Sequence, residues 1–262
     1  MKGKVHLVGA GPGDHDLLTL RAAGLLKTAD VILHDDLVGQ GILELASPKT
    51  LLQNVGKRCG KKKISQEEIN FLMIEFASTG KNVVRLKGGD PLIFGRLGEE
   101  IKALREAGIE FEIVPGVTSA FGAAAAGEIP LTYRHVSSAV VFLTGQTADG
   151  NQEEDWQKFV SAQATLVIYM PGQDYSRTAK RLATAGAGPE TLCAIVSRAS
   201  WPDQQLFVTH LAALPRAPHF AAPTLLIVGD VVRFSTRFQS LTASMAIHPS
   251  ISNLNPAQGP VA

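Results

Sequence analysis

Cysteine is scarce in this 262-residue chain: it has two, Cys59 and Cys193, with no CxxC pair and no Cys/His cluster. That pattern excludes a disulfide framework and a zinc site of ordinary ligand spacing, and reads as two reduced thiols in a cytoplasmic protein. Net charge is nearly absent too, at +1, which argues against a nucleic-acid binder that works by bulk positive charge. No apolar run reaches the length of about 18 residues that a membrane-spanning helix needs. The opening MKGKVHLVGAGPGD has an apolar stretch soon broken by glycine, so it reads as a first strand and not as a signal peptide. Internal repeats are missing, and low complexity is confined to the polar stretch after Ser235. What remains is an ordinary globular balance, 45% hydrophobic and 19% charged. A chain of this size buries roughly three quarters of its unfolded surface and needs no covalent staple.

The first half alternates strand-like and helix-like runs. Strands are expected at 5–8, 31–34, 51–55, 82–86 and 111–114, with helices at 16–27, 42–46, 65–76 and 99–106. The third helix opens with a capping-box pattern, Ser65 to Glu68, and carries Ile69, Leu72, Met73 and Phe76 on one face. Such alternation implies an α/β fold whose N-terminal sheet is mostly parallel, with flanking helices. Residues 115–135 turn rich in Gly, Ala and Pro around a short Ala-rich helix, so a junction is placed there. The second half reads as more β-rich, with strands at 139–143, 165–169, 192–196, 206–209 and 225–228. The expected organisation is an N-terminal domain over 1–115, a second mixed-sheet domain over 116–234, and a flexible tail over 235–262.

The most informative run is RLKGGDPLIFGRLGEE, which begins at Arg85. A strand ends there, turns on Gly88 and Gly89, and restarts after Pro91 toward a helix. Adjacent glycines let the backbone take conformations closed to other residues and let a ligand approach closely. Ligands of open α/β sheets bind outside the carboxyl ends of the strands. The alternative is a tight turn with no ligand. Gly9-Ala10-Gly11-Pro12-Gly13-Asp14 sits where a dinucleotide fold places GxGxxG, but Asp14 replaces the last glycine and Pro12 stiffens the loop. A carboxylate at a helix start repels pyrophosphate, so an adenosine ligand without phosphates fits better. Asp35 and Asp36 end the second strand, as a general base or as a helix cap. Arg96 and Glu99 read either as a site pair or as a surface ion pair one turn apart. Thr118 or Ser119 is expected to cap a helix, and Met170 is either core or contact. Lys61–Lys63 read as a solvated face, with Lys57 and Arg58 nearer a site. Trp156, Trp201 and the seven histidines show no spacing that argues for metal or stacking.

Taken in order, the motifs resemble the S-adenosylmethionine-dependent tetrapyrrole methyltransferases, and within them the branch acting on uroporphyrinogen III. They are VHLVGAGPGD (5–14), LLTLRAAGLLKTADVILHDDLV (17–38), VGKR (55–58), QEEIN (66–70), VVRLKGGDPLIFGR (83–96), VPGVTSA (114–120), IPLTYR (129–134) and PTLLIVGDVV (223–232). The resemblance implies two α/β domains, a homodimer, and an active site in the cleft between the domains. It implies transfer of methyl groups from S-adenosylmethionine to C-2 and C-7 of uroporphyrinogen III, giving precorrin-2 for sirohaem, cobalamin or haem d1. S-adenosylhomocysteine is then the by-product, and no metal, nucleic acid or membrane is implied. Carried over by position, the co-substrate contacts are Pro12, Gly88, Gly89, Asp90, Ile93, Thr118, Ser119, Met170, Ala199 and Thr224. Asp35 and Lys57 are the proton-handling pair, and Arg96, Glu99, Arg134 and Met170 the tetrapyrrole contacts. A substrate with eight carboxylates needs buried arginines for orientation, and Arg96 and Arg134 are the expected pair. The chain departs from the family pattern at Leu97, Tyr133 and Met170-Pro171-Gly172. It reads as a stand-alone enzyme without a fused dehydrogenase/chelatase part. The rival readings are a methyltransferase of a later precorrin, an NAD(P)-dependent oxidoreductase and a non-catalytic S-adenosylmethionine sensor.

Overall fold

The computed structural model describes residues 2–56, 64–146, 156–236 and 238. Among them lies a first sheet built from β1 (Lys4–Gly9), β2 (Val31–His34), β3 (Leu51–Asn54), β4 (Val83–Lys87) and β5 (Glu110–Val114). Its order is β3-β2-β4-β1-β5 and every pair is parallel. Parallel strands need crossovers, so both faces are covered and the central strands are apolar almost end to end. Side chains alternate between the faces. Val8, Ile32, Val84 and Leu86 pack under α1 (Leu20–Thr28) and α2 (Gln40–Leu43). Val5, Leu7, Val31, Leu33 and Val83 pack under α3 (Gln66–Ser78) and α4 (Leu97–Glu106). The chain leaves β1 toward β2 on one side and leaves β4 toward β5 on the other. The carboxyl ends of β1 and β4 therefore flank a topological switch point, where open α/β sheets bind ligands.

The expected capping box on α3 is present: Glu68 N donates to Ser65 Oγ at 3.1 Å and Ser65 N to the Glu68 carboxylate at 2.7 Å. The first helix starts later than the sequence pattern predicts. Asp14 caps a 3-10 turn over His15–Leu17, accepting from Asp16 N at 3.0 Å. Thr19 then accepts from Ala22 N at 3.1 Å and opens α1. Two side-chain acceptors in quick succession divide what leucine spacing reads as one helix. α2, by contrast, begins at Gln40, two residues early.

The second sheet comprises β6 (Val140–Thr144), β7 (Thr165–Tyr169), β8 (Leu192–Ser197), β9 (Gln205–His210) and β10 (Thr224–Val228) in the order β6-β7-β10-β8-β9. Only β6 and β7 run parallel, which makes the sheet mixed. α5 (Ser119–Ala126) covers one face with Ala120, Ala123 and Ala124 against Val167, Ala194 and Ile227. α6 (Gln157–Ser161) and α7 (Ser176–Thr184) cover the other, where Trp156 is fully buried beneath the Arg181 guanidinium, 3.7 Å from its ring. The sequence pattern predicts strands alone here. α7 reads SRTAKRLAT; Thr178, Ala179, Arg181 and Leu182 form its buried face at helical spacing, but Leu182 is the only large apolar residue among them, so a count of apolar residues passes over it. Ser235 is buried and Phe238 packs against the α5 face, so the chain stays docked beyond residue 234. No helix among the described residues is long and apolar enough to cross a membrane.

Glu112 on edge strand β5 ties the sheet to α1. Its carboxylate meets His6 Nδ1 at 2.8 Å, Arg21 Nη2 at 2.8 Å and Lys4 Nζ at 3.4 Å. Partial burial pushes its carboxyl up, but His6, Arg21 and Lys4 outweigh this and bring it to about 2. A depressed carboxylate contributes stability above its unfolded value and loses it as pH falls through the folded value. Glu112→Gln should therefore cost about 1–2 kcal/mol at pH 7, after discounting for partial exposure. The difference from the parent should shrink between pH 4.5 and about 2. Urea denaturation across that range measures it.

Candidate functional site

Three loops meet at the carboxyl end of the first sheet. Gly11 and Gly89 pair as a two-residue antiparallel bridge, with N–H to O distances of 3.1 and 2.7 Å. Gly89 has φ +68, a conformation that favours glycine. The loop after β5 closes the junction from the other side. A Cβ on Gly116 would lie 2.5 Å from Gly89 O, and one on Gly9 would lie 2.6 Å from Gly116 N. Asp90 fastens the arrangement: its two oxygens accept from Leu92 N at 2.7 Å and Gly116 N at 3.0 Å. Ile93 N donates to Asp90 O at 3.2 Å and continues the turn. Asp90 is thus a loop organiser whose carboxylate is already engaged by backbone.

The first loop is held from the second sheet. Trp201 Nε1 donates to Pro12 O at 3.0 Å, and Asp14 N donates to Ser200 Oγ at 3.0 Å. Pro12 is buried, and a Cβ on Gly122 of α5 would lie 2.6 Å from its Cβ. Ala199 is buried between Arg198 at φ 50 and Ser200 at φ 65, and Thr224 pairs with Ser197 just before that turn. Non-glycine residues held at positive φ carry strain that concentrates at ligand sites. The helix start that a pyrophosphate would need is occupied by the Asp14 and Thr19 caps, against the NAD(P) reading.

Tyr169 links the two sheets. Its hydroxyl sits 2.5 Å from Thr118 Oγ1 and accepts from Ala120 N at 3.3 Å, while its ring lies 5.0 Å from that of Phe94. Burial pushes its phenol above the ordinary value. The expected cap at 118–119 is absent as a side-chain bond: Thr118 holds the N-cap position of α5, but its hydroxyl turns to Tyr169. The Ser119 Oγ lies 3.1 Å from where a Gly89 Cβ would stand. Met170 is 42% exposed at φ 49, so it lies at the surface and not in the core.

Beside this junction opens a cavity of about 330 Å³ lined by Asp35, Gln66, Arg85, Lys87, Phe94 and Arg96, among others. Asp35 caps no helix, since Gly39 holds the N-cap position of α2. Instead Arg85 Nη2 donates to Asp35 Oδ1. Arg85 and Lys87 project from the same face of β4, two residues apart, and are 3% and 4% exposed. Between them lies Glu100 of α4, fully buried, with Oε1 accepting from Arg85 Nε at 3.0 Å, Lys87 Nζ at 2.9 Å and Gln66 Nε2 at 3.4 Å. Burial, then the Arg85 charge, lower the Lys87 pKa. Burial opposes the Arg85 charge as well, but Asp35 and Glu100 outweigh it and raise its pKa.

Both arginines expected to be buried are exposed. Arg96 is 45% exposed in its side chain and grips Glu99 through two bonds of 2.7 Å, the surface ion pair of the sequence reading. It still lines the cavity, from a left-handed N-cap at φ 54. Arg134 lies on an exposed turn closed by Tyr133 and Ser137, away from the cavity lining. The arginine that burial selects is Arg85. Lys57 lies outside the described residues, together with Arg58, Cys59 and Lys61–Lys63. Sequence reasoning missed Glu100, although it falls in the buried stripe Leu97–Glu100–Leu104 of a helix, a spacing that marks an inward carboxylate. Trp201 and Tyr169 left no comparable signal.

Residues 4–215 match the family described as Tetrapyrrole (Corrin/Porphyrin) Methylases. A siroheme synthase of Hahella chejuensis is 45% identical over 240 residues, covering 90% of this chain and 51% of that protein. One of Azotobacter vinelandii is 46% identical over 234 residues, 88% of this chain and 50% of that protein. The chain thus spans about half the length of the curated relatives it matches. A crystal structure of uroporphyrin-III C-methyltransferase from Thermus thermophilus is 42% identical with a TM-score of 0.73, covering 88% of this chain and 94% of that one. The same enzyme complexed with S-adenyl homocysteine gives 39% and 0.76, at 88% and 99% coverage. A cobalt precorrin-4 methyltransferase gives 30% and 0.78, at 87% and 95%.

Tyr169→Phe removes the oxygen that joins Thr118 and Ala120. It should cost about 1–3 kcal/mol, because the partners are left without it at a part-buried site. Urea denaturation should show the loss with the m-value unchanged.

Proposed function

The chain belongs to the tetrapyrrole (corrin/porphyrin) methylases, and from that premise we propose that it transfers methyl groups from S-adenosylmethionine to C-2 and C-7 of uroporphyrinogen III, giving precorrin-2. The observation that carries the substrate choice is 42% identity to the uroporphyrin-III C-methyltransferase against 30% to the cobalt precorrin-4 enzyme. The fold supports methylation without separating the two, since the TM-scores are 0.73 and 0.78. A soluble cytoplasmic homodimer belongs to the same reading, and sedimentation tests the dimer.

The junction residues fit a phosphate-free nucleoside donor. Gly89 sits at φ +68 in a buried turn where a side chain is disfavoured, and the helix starts that follow the first glycine loop are already capped by Asp14 and Thr19. When bound, the donor supplies a methyl on a sulfonium, open to in-line attack by an electron-rich pyrrole carbon. The protein's main contribution is then to hold donor and acceptor in line. Gly88, Gly89 and Ile93 supply one wall for the donor, Thr118 and Ser119 a second, and Pro12, Ala199 and Thr224 a third. Asp90 keeps the first two walls in register through Leu92 and Gly116. Met170, exposed at the end of β7, borders both ligands. The cavity beside Asp35 takes the edge of the macrocycle. Asp35 receives the proton that the methylated ring must lose, with Lys57 as its partner. Arg96 exchanges Glu99 for a substrate carboxylate, and Arg134 steers from the rim.

Anaerobic incubation with S-adenosylmethionine and uroporphyrinogen III, followed by mass spectrometry, should show the gain of two methyl groups. A gain only on an already methylated precorrin would move the assignment to a later step. Gly89→Val should weaken donor binding tenfold or more, about 1.4 kcal/mol, by calorimetry on folded protein. Unchanged affinity would remove this turn from the donor site. Asp35→Asn should lose on the order of 10²–10⁴-fold in turnover while donor affinity holds, since an amide takes no proton at neutral pH.

A further inference from the structure

The buried charges behind Asp35 have no stability rationale of their own. Arg85 is 3% exposed, Lys87 4% and Glu100 0%, and all three sit against the apolar face that Val83, Leu97 and Leu104 help to form. Burying such groups costs several kcal/mol per ion, and well-packed apolar residues often serve stability as well or better. The set is also incompletely satisfied, for Glu100 Oε2 is buried without a hydrogen-bond partner. Glu100 directs all its described bonds through Oε1, to Arg85, Lys87 and Gln66.

Arg85 is fixed at every nitrogen. Nε is held by Glu100 at 3.0 Å, and Nη1 donates to Leu33 O at 3.3 Å and Leu86 O at 3.2 Å. Nη2 is left to reach Asp35 Oδ1. The planar guanidinium thus turns a rigid strand position into a fixed orientation for a carboxylate on a loop, which a flexible ammonium cannot do. Asp35 is 27% exposed in its side chain and lines the cavity. Its backbone is tied as well, with Asp35 N donating to Leu86 O at 3.2 Å.

We propose that Arg85 and Glu100 are positioning residues for Asp35: Glu100 fixes the guanidinium, and the guanidinium holds one carboxylate oxygen so that the other faces the cavity. This rests on the proton-accepting role given to Asp35 above. Both act through Asp35: Glu100 is fully buried, and Arg85, though in the cavity lining, is only 3% exposed.

The test is a double-mutant cycle on the full chain, with Arg85→Lys and Asp35→Asn alone and together. Arg85→Lys keeps the charge and loses the fork. It should lower kcat tenfold or more while KM and donor affinity stay within about twofold. In the Asp35→Asn background the same change should cost less than twofold, because there is no base left to orient. A merely structural role predicts equal costs in both backgrounds, and that additivity would overturn the proposal while leaving Asp35 as the base. Full turnover by Asp35→Asn alone would overturn both. Glu100→Gln keeps the shape and carries the same cycle if Arg85→Lys does not fold. A crystal structure of the folded variant gives a readout independent of turnover: Asp35 should occupy more than one rotamer, and a single unchanged rotamer would count against the proposal.

Discussion

Three backbone segments that leave the first sheet approach one another more closely than any side chain permits. A Cβ at Gly9 or Gly116 would sit within 2.7 Å of a neighbouring backbone atom, and Gly89 must hold φ +68 to offer its N–H and O to Gly11. The rest of the site follows from that contact. It brings the β1, β4 and β5 loops into one surface at the switch point of the sheet. Asp90 can then reach across from one loop to the next, and α5 starts where Ser119 faces the glycine turn. The apolar strands supply a rigid platform, and the glycines supply the closeness.

A second layer of order comes from charge. Parallel strands covered on both faces have little room for polar groups, yet β4 ends in Arg85 and Lys87 with Glu100 between them. Their alignment reflects two periods meeting: two residues along the strand, and the three-plus-four spacing of Leu97, Glu100 and Leu104 along α4. The result is a firm polar wall inside a cavity whose outer rim, at Arg96 and Glu99, is a solvated ion pair that salt screens readily.

The strands were legible in the sequence because buried runs such as Val31–His34, Leu192–Ser197 and Thr224–Val228 are short, apolar and bounded by turn residues. The GGDP turn was legible because adjacent glycines at a strand end have few other uses. α6 and α7 were not: α6 is only five residues long, and the buried face of α7, made by Thr178, Ala179, Arg181 and Leu182, holds one large apolar residue. The inward charges were hidden by the habit of reading Arg and Glu as surface. Trp201 and Tyr169 were hidden by distance: their partners Pro12 and Thr118 lie 189 and 51 positions away. A lone aromatic has no period to betray it.

The bonds between Trp201 and Ser200 and the Pro12–Asp14 loop join the two sheets through the same segment to which the proposed donor site is assigned. Cohesion between the halves and occupancy of that segment are therefore linked free energies. A ligand that binds the joined arrangement better than the separated one strengthens the seam, and loosening the seam weakens its binding by an equal amount. Heat or denaturant acting on either half is felt in the other. A donor seated at the proposed site would raise the melting midpoint with its concentration, acting as mortar of the joint between the sheets as well as its guest.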